Sequence, residues 1–151
     1  MASSLFSTDK TQIDSICIGS GRFLRAVLVP ALIASNMKPI IVQTRGTSFM
    51  NYCKSRCPPG GAFDYLTYEV DTVEFDGKTV TQEIKCYGAS SLGTQEGKQG
   101  VMNLIQDMNE IKLIGVGVTE AGLANSSTQA VLDLYEILTL IATRILNNQM
   151  K

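Results

Sequence analysis

An apolar run that ends at two glycines, Ser15-Ile16-Cys17-Ile18-Gly19-Ser20-Gly21, constrains the fold of this chain more than any other stretch. A segment with apolar residues at helical spacing, residues 22–35, follows it immediately. This order predicts a strand, a tight glycine turn and a helix, which together place the helix N-terminus against a phosphate. Gly19 would let the chain leave the strand sharply, and Gly21 would let a pyrophosphate approach the backbone without a Cβ in its way. Taken alone, the pattern also fits an ordinary turn.

A second apolar run, residues 39–43, is typical of a parallel strand buried on both faces, and it completes a strand–helix–strand unit. Two β-prone runs, residues 65–75 and 79–87, flank Asp76-Gly77-Lys78 and predict a hairpin. Residues 111–118 form another apolar run, which we interpret as a further buried strand. We therefore expect an α/β fold, Rossmann-like, with a mostly parallel sheet flanked by helices and an inserted β-hairpin.

The remaining segments complete this plan. Pro30 should kink the first helix or shift its boundary. Further helices are predicted over residues 49–55, over residues 99–109, and from a cap at Asn125 or Ser126 to about Asn147. Residues 88–97 are interpreted as a loop. The polar, Ser/Thr-rich residues 1–12 are expected to be a loose N-terminal arm, and residues 13–151 to form one dinucleotide-binding domain.

Composition narrows the class of protein. A chain of 151 residues with 44% apolar and 18% charged residues is typical of one soluble globular domain. A net charge of -1 without a block of Lys or Arg argues against nucleic-acid binding and against a polybasic membrane patch. We find no signal peptide and no apolar run of membrane-spanning length, and the four scattered cysteines fit a reduced, cytoplasmic protein.

The sequence contains no histidine, so it lacks the commonest general base and the commonest metal ligand. The spacing Cys53-x3-Cys57 supplies two thiols where zinc requires four ligands, and we therefore expect no metal site.

Two motifs, Gly19-Ser20-Gly21-Arg22-Phe23-Leu24-Arg25-Ala26 and Val118-Thr119-Glu120-Ala121-Gly122, lie after the first and a later predicted strand. Together they resemble the N-terminal domain of the long-chain mannitol dehydrogenase and hexuronate (tagaturonate and fructuronate) reductase family. Members of that family show G-x-G-x-F-x-R-A and T-E-x-G at these places. The hexuronate branch is the closer match, through Phe23-Leu24-Arg25-Ala26 and Glu120-Ala121-Gly122, and the resemblance extends from about residue 16 to about residue 145.

The resemblance implies a Rossmann-type domain that binds NAD, with the pyrophosphate over Gly19, Ser20, Gly21, Arg22 and Phe23. Phe23 is also expected to be the first core residue of the helix. Thr119 and Glu120 would lie at the nicotinamide half, although Glu120 could equally cap the next helix. Arg25 and Asn125 are candidates on the substrate side, and a solvated or ion-paired arginine is an equally good interpretation of Arg25.

The end of the second strand usually carries a carboxylate that accepts hydrogen bonds from the adenosine ribose. Here the positions hold Gln43, Thr44 and Arg45, and no carboxylate is present. Gln43 or Thr44 can hydrogen-bond a ribose hydroxyl, whereas Arg45 could pair with a 2′-phosphate. NAD is the first choice because the hexuronate branch manages without the acid, and NADP stays open.

The implied function is that of the cofactor-binding domain of an NAD(P)-dependent polyol dehydrogenase or hexuronate reductase. Hydride would pass between the nicotinamide and a sugar alcohol or keto-sugar acid. The family places its catalytic Lys, Asn and His in a second domain, which we expect to be absent from this sequence. The alternative is a non-catalytic nucleotide-binding or interaction module. The last helix is apolar around most of its girth, which predicts a larger parent protein, a partner or self-association.

Overall fold

The computed structural model describes residues 4–118 and 128–149. The strands are Ser4–Phe6 (β1), Ser15–Ile18 (β2), Pro39–Gln43 (β3), Leu66–Val73 (β4), Thr79–Cys86 (β5), Gly88–Ser91 (β6) and Leu113–Val116 (β7). The α-helices are Val29–Ala34 (α1), Ser48–Ser55 (α2), Gln95–Asp107 (α3) and Gln129–Gln149 (α4). A 3₁₀ turn, Lys10–Gln12, precedes β2, and a π-helical turn, Leu24–Leu28, precedes α1.

Five strands form one sheet in the order β1-β6-β3-β2-β7. Within it β2, β3, β6 and β7 are parallel, and β1 pairs with β6 in the antiparallel sense. The protein is therefore α/β, with a mostly parallel sheet flanked by helices. Successive strands β2, β3 and β6 step outward in one direction, and β7 then lies on the opposite side of β2. The strand order thus reverses between β2 and β7, and in open α/β sheets this reversal opens a crevice at the carboxyl ends of the strands.

Side chains of β2 and β3 alternate between two apolar cores, because successive residues of a strand point to opposite faces. One core joins Ile16, Ile18, Ile40 and Val42 to α3 and α4, through Leu104, Ile105, Ile137 and Ile141 among others. The other joins Cys17 and Ile41 to the first helical segment, α2 and the β4–β5 hairpin, through Leu24, Phe49 and Tyr68 among others. The sheet is consequently covered on both faces, as parallel sheets require.

The helix after the glycine turn is interrupted by a π-helical turn. The Val29 N–H donates to the Leu24 carbonyl, five residues back, and Pro30 follows in the first turn of α1. In a regular α-helix the ring of Pro30 would collide with the carbonyl of residue 26, and the proline offers no N–H to it. The wider turn accommodates both effects, so the predicted disturbance by Pro30 is confirmed.

The N-terminal residues are not a loose arm as far as the structure describes them. Ser4–Phe6 is the antiparallel edge strand β1, with Leu5 opposite Ala89. The hydroxyl groups of Ser4 and Ser90 are 2.7 Å apart and share a hydrogen bond. Backbone pairing to a distant segment orders these residues, although their polar sequence is typical of a disordered terminus.

The predicted loop over residues 88–97 is also wrong at its start, because Gly88–Ser91 is strand β6 in the interior of the sheet. A Cβ on Gly88 would lie 2.5 Å from the Leu5 carbonyl oxygen, so a small residue is needed for this close approach. Glycine and serine have poor strand propensity, and here pairing on both sides overrides it.

The hairpin is confirmed: β4 and β5 form a separate two-stranded sheet, with Leu66 opposite Cys86. The predicted helices over residues 49–55 and 99–109 correspond to α2 and α3, and α3 starts four residues earlier than predicted. Strand β7 is not buried as expected. It ends the sheet within the described residues, and only Gly115 in it is buried.

The long helix α4 buries one stripe and exposes another. Val131, Leu134, Ile137 and Ile141 pack into the core. Leu132, Tyr135 and Leu146 are about half exposed, which agrees with the expectation of incomplete cover. The predicted caps of this helix, Asn125 and Ser126, lie outside the described residues. None of the helices in the described ranges is both long enough and apolar enough to cross a membrane.

Candidate functional site

The glycine turn lies where the strand order reverses. Gly19 follows β2 with φ +121°, a conformation that favours glycine, and its N–H donates to the Val42 carbonyl at 2.8 Å. A Cβ on Gly19 would lie 2.3 Å from the carbonyl oxygen of Gly117, which follows β7. The Gly117 N–H in turn donates to Ile18 at 2.8 Å. The fold itself therefore requires glycine at position 19.

Gly21 presents the opposite situation. It is exposed at the start of the helical segment, its φ is not in the left-handed region, and a Cβ built on it would meet nothing within 4 Å. Neither backbone strain nor packing requires glycine there. A residue without a side chain at the first turn of a helix leaves room for a ligand to reach the backbone.

The residues after Gly21 divide between solvent and core. Arg22 and Phe23 are exposed, and Phe23 retains 71% of its accessible surface. Leu24, which is 1% exposed, packs toward Gly117 and is the first core residue of the helix. The prediction that Phe23 fills this core position is therefore wrong. The buried stripe runs through Leu24 and Val29, and Phe23 falls outside it, next to the glycine turn.

Arg25 lies between the glycine turn and the hairpin. Its guanidinium is 5.2 Å from the centre of the Phe49 ring, and its Nε is buried without a hydrogen-bond partner. Its carbonyl accepts a hydrogen bond from the Tyr68 hydroxyl at 2.6 Å. No carboxylate of the described residues forms an ion pair with Arg25, although Glu69 and Asp71 line the same cavity of about 370 Å³ with Ser20. Among the described residues Arg25 therefore forms no ion pair, and its side chain is half-buried.

Gln43 is not available as a ribose ligand in this structure. Its side chain is buried, and Oε1 accepts a hydrogen bond from the Met50 N–H at 3.0 Å. Its Nε2 donates to the Ser48 hydroxyl at 3.5 Å. The amide therefore holds the first turn of α2, whose early N–H groups lack partners within the helix. Gln43 and Thr44 were the two residues predicted to hydrogen-bond a ribose. Thr44, which is half-buried at the end of β3, is the candidate that is left.

Arg45 is engaged by Asp133, a residue outside the sequence motifs. Its Nη2 lies 3.1 Å from Oδ2 of Asp133 on α4. Asp133 is 2% exposed, and its Oδ1 also accepts hydrogen bonds from Lys98 at 3.1 Å and from Gln129 at 2.9 Å. Lys98 also contacts Glu136 at 2.5 Å, and the hydrogen bond to Glu136, followed by the one to Asp133, raises the pKa of Lys98. The sequence offers one indication that Asp133 is buried and paired, because it stands between apolar residues of a predicted helix.

Three of the remaining candidates, Thr119, Glu120 and Asn125, lie outside the described residues. The structure thus brings Gly19, Gly21 and the exposed residues after them to the sheet crevice, and it places Thr44 and Arg45 at the end of the neighbouring strand.

Three buried cysteines, Cys17, Cys53 and Cys86, belong to the same core, and Cys53 is a residue of α2 itself. Interaction between the thiols of Cys53 and Cys86 lowers the pKa of Cys53 and raises that of Cys86, which burial raises further. Burial raises the pKa of Cys17 to about 12. All four cysteines are free thiols, and no cluster of potential metal ligands occurs among the described residues.

Comparison with protein-family models, with curated proteins and with solved structures finds no match for the chain.

Proposed function

We propose that this chain is the Rossmann-type cofactor-binding domain of an NAD(P)-dependent polyol dehydrogenase or hexuronate reductase. The observation that carries the proposal is Gly21: an exposed glycine, needed neither for backbone conformation nor for packing, at the start of a helix above the sheet crevice. The strand order and the resemblance of residues 19–26 to that enzyme family point to the same function.

The residues present fit a pyrophosphate at the glycine turn. Backbone N–H groups at the start of the helical segment and its positive dipole end favour an anion, and Arg22 adds an exposed positive charge nearby. Phe23 offers an exposed apolar ring beside them. When bound, the nicotinamide supplies or takes the hydride, while this domain orients the dinucleotide. Thr44 is the remaining hydrogen-bond candidate for the adenosine ribose.

A fluorescence titration with NADH tests the proposal. We expect the chain to bind NADH, and we expect Gly21→Ala to weaken binding by about tenfold, since the new methyl group occupies the space of the pyrophosphate. Gly21→Asp should abolish binding by adding a negative charge. Asn109→Asp adds the same charge as a control and should leave binding unchanged, because Asn109 is exposed and hydrogen-bonds Thr11 before the start of β2, whereas Gly21 follows its end. Failure to bind either NADH or NADPH, or unaltered binding by both Gly21 variants, overturns the proposal.

A second candidate is a nucleotide-binding or interaction module without catalysis. Two observations favour it: the sequence has no histidine, and Leu132, Tyr135 and Leu146 expose apolar surface along α4. Sedimentation at increasing concentration tests self-association through this helix. We expect Leu146→Glu to abolish any dimer. A chain that is monomeric at all concentrations would exclude a second copy of the chain as the partner of α4. Absence of hexuronate or mannitol turnover by a chain that binds NADH is the expected result for both candidates.

A further inference from the structure

A buried carboxylate from the last helix reaches the end of β3. Asp133 is 2% exposed, and its two oxygens accept hydrogen bonds from Arg45, Lys98 and Gln129 at 2.9–3.1 Å. A buried charge is stable only when it is paired and hydrogen-bonded, and these three donors meet that requirement. Asp133 is therefore held in one position, and its partner Arg45 is held with it.

The Arg45–Asp133 ion pair lies at the end of β3, where it could affect recognition of a ribose. Arg45 is the second residue after β3, the strand beside β2, where dinucleotide-binding sheets carry the carboxylate that recognises the ribose 2′-hydroxyl. Residues 43–45 include no carboxylate. Asp133 lies 88 residues further along the chain, and its carboxylate pairs with Arg45 at that place.

We propose that Asp133 makes this site selective for NAD over NADP by neutralising Arg45. The inference rests on the proposed dinucleotide-binding function. A 2′-phosphate carries a charge of about −2 and needs a cation that is free to pair with it. Arg45 is already paired, and the charges of Lys98 and Arg45 are balanced by those of Asp133 and Glu136. A phosphate would compete with Asp133 for the one guanidinium charge, and drawing Arg45 away would leave that buried carboxylate with fewer partners.

A ribose 2′-hydroxyl makes no such demand, because it needs only a hydrogen-bond partner. The half-exposed Arg45 side chain, 43% accessible, is close enough to solvent to bind a phosphate once Asp133 no longer holds it. A single substitution at Asp133 would therefore leave the Arg45 guanidinium free to pair with a phosphate.

The test compares dissociation constants for NADH and NADPH, measured by fluorescence titration, in Asp133→Asn and the unchanged chain. We expect Asp133→Asn to tighten NADPH binding about tenfold relative to NADH, the size of one charge-assisted contact. Glu136→Gln removes one negative charge from the same cluster without touching Arg45, and should leave the ratio unchanged. Adding Arg45→Gln to Asp133→Asn should remove the gain. A ratio that does not move in folded Asp133→Asn overturns the inference.

A second variant covers the case in which Asp133→Asn does not fold. Arg45→Gln leaves Asp133 its contacts to Lys98 and Gln129. If Arg45 is neutralised, this variant changes the NADPH-to-NADH ratio less than about twofold, whereas a loss of NADPH affinity of about tenfold overturns the inference. If the chain binds NADH and responds to Gly21→Ala, such a failure leaves the proposed function intact. Binding of neither dinucleotide overturns both.

Discussion

The two glycines of the turn should respond in opposite ways to the same substitution. Gly19→Ala places a methyl group 2.3 Å from a backbone oxygen and 2.9 Å from the carbonyl carbon of Gly117, and neither atom can rotate away. Its φ of +121° adds strain of about 1–3 kcal/mol for a residue with a Cβ. Overpacking in a filled interior costs about 1–3 kcal/mol more. We therefore expect Gly19→Ala to lower the free energy of unfolding by about 2–6 kcal/mol, a large part of the stability of a domain of this size.

Gly21→Ala is the matched control. No atom lies within 4 Å of its new Cβ, and the substitution reduces the entropy of the unfolded chain, so stability should stay the same or rise by up to about 1 kcal/mol. Urea denaturation followed by far-UV circular dichroism measures both, since the chain has no tryptophan. Equal losses in the two variants, or a larger loss in Gly21→Ala, would refute the conclusion that the fold requires glycine at position 19 but not at position 21.

Three further predictions concern the core under α2. Tyr68→Phe removes the hydrogen bond to the Arg25 carbonyl and should cost about 1–2 kcal/mol in urea denaturation; an unchanged midpoint contradicts this. Iodoacetamide should modify the half-buried Cys57 well before the three buried cysteines, as mass spectrometry of the native chain can show; equal rates would count against the packing. Stability should fall above pH 9, because the Cys17 thiol ionises near 9.0 when unfolded and only near 12 when folded. By about pH 10.5 the ionisation of unfolded Cys17 should lower the free energy of unfolding by about 2 kcal/mol. Cys17→Ala should therefore reduce the loss of stability between about pH 8 and about pH 10.5 by the same amount.

Local signals in the sequence were sufficient for the elements that carry their own pattern. The strand, glycine turn and helix from Ser15 onward needed only an apolar run, a change to helical spacing and two glycines. The hairpin needed only Asp76-Gly77 between β-prone runs. Strands β1 and β6 carry no such pattern. They are strands because β1 pairs with β6 and β6 pairs with β3. The β1–β6 pairing joins segments more than 80 residues apart and the β3–β6 pairing joins segments more than 40 apart, and local propensity contains no information about either.

The same distinction applies to side chains at the candidate site. The sequence places Gln43, Thr44 and Arg45 correctly at the end of a strand, but whether each is free for a ligand depends on partners from elsewhere. Gln43 is engaged by the first turn of α2, and Arg45 by Asp133 on α4. A buried carboxylate such as Asp133 requires a charged or hydrogen-bonding partner. The side chain of Arg45 is therefore positioned by its ion pair with Asp133 as well as by its place after β3. A charged residue beside a candidate nucleotide site is therefore informative about specificity only when its counter-ion is known, and the counter-ion of Arg45 comes from the last helix.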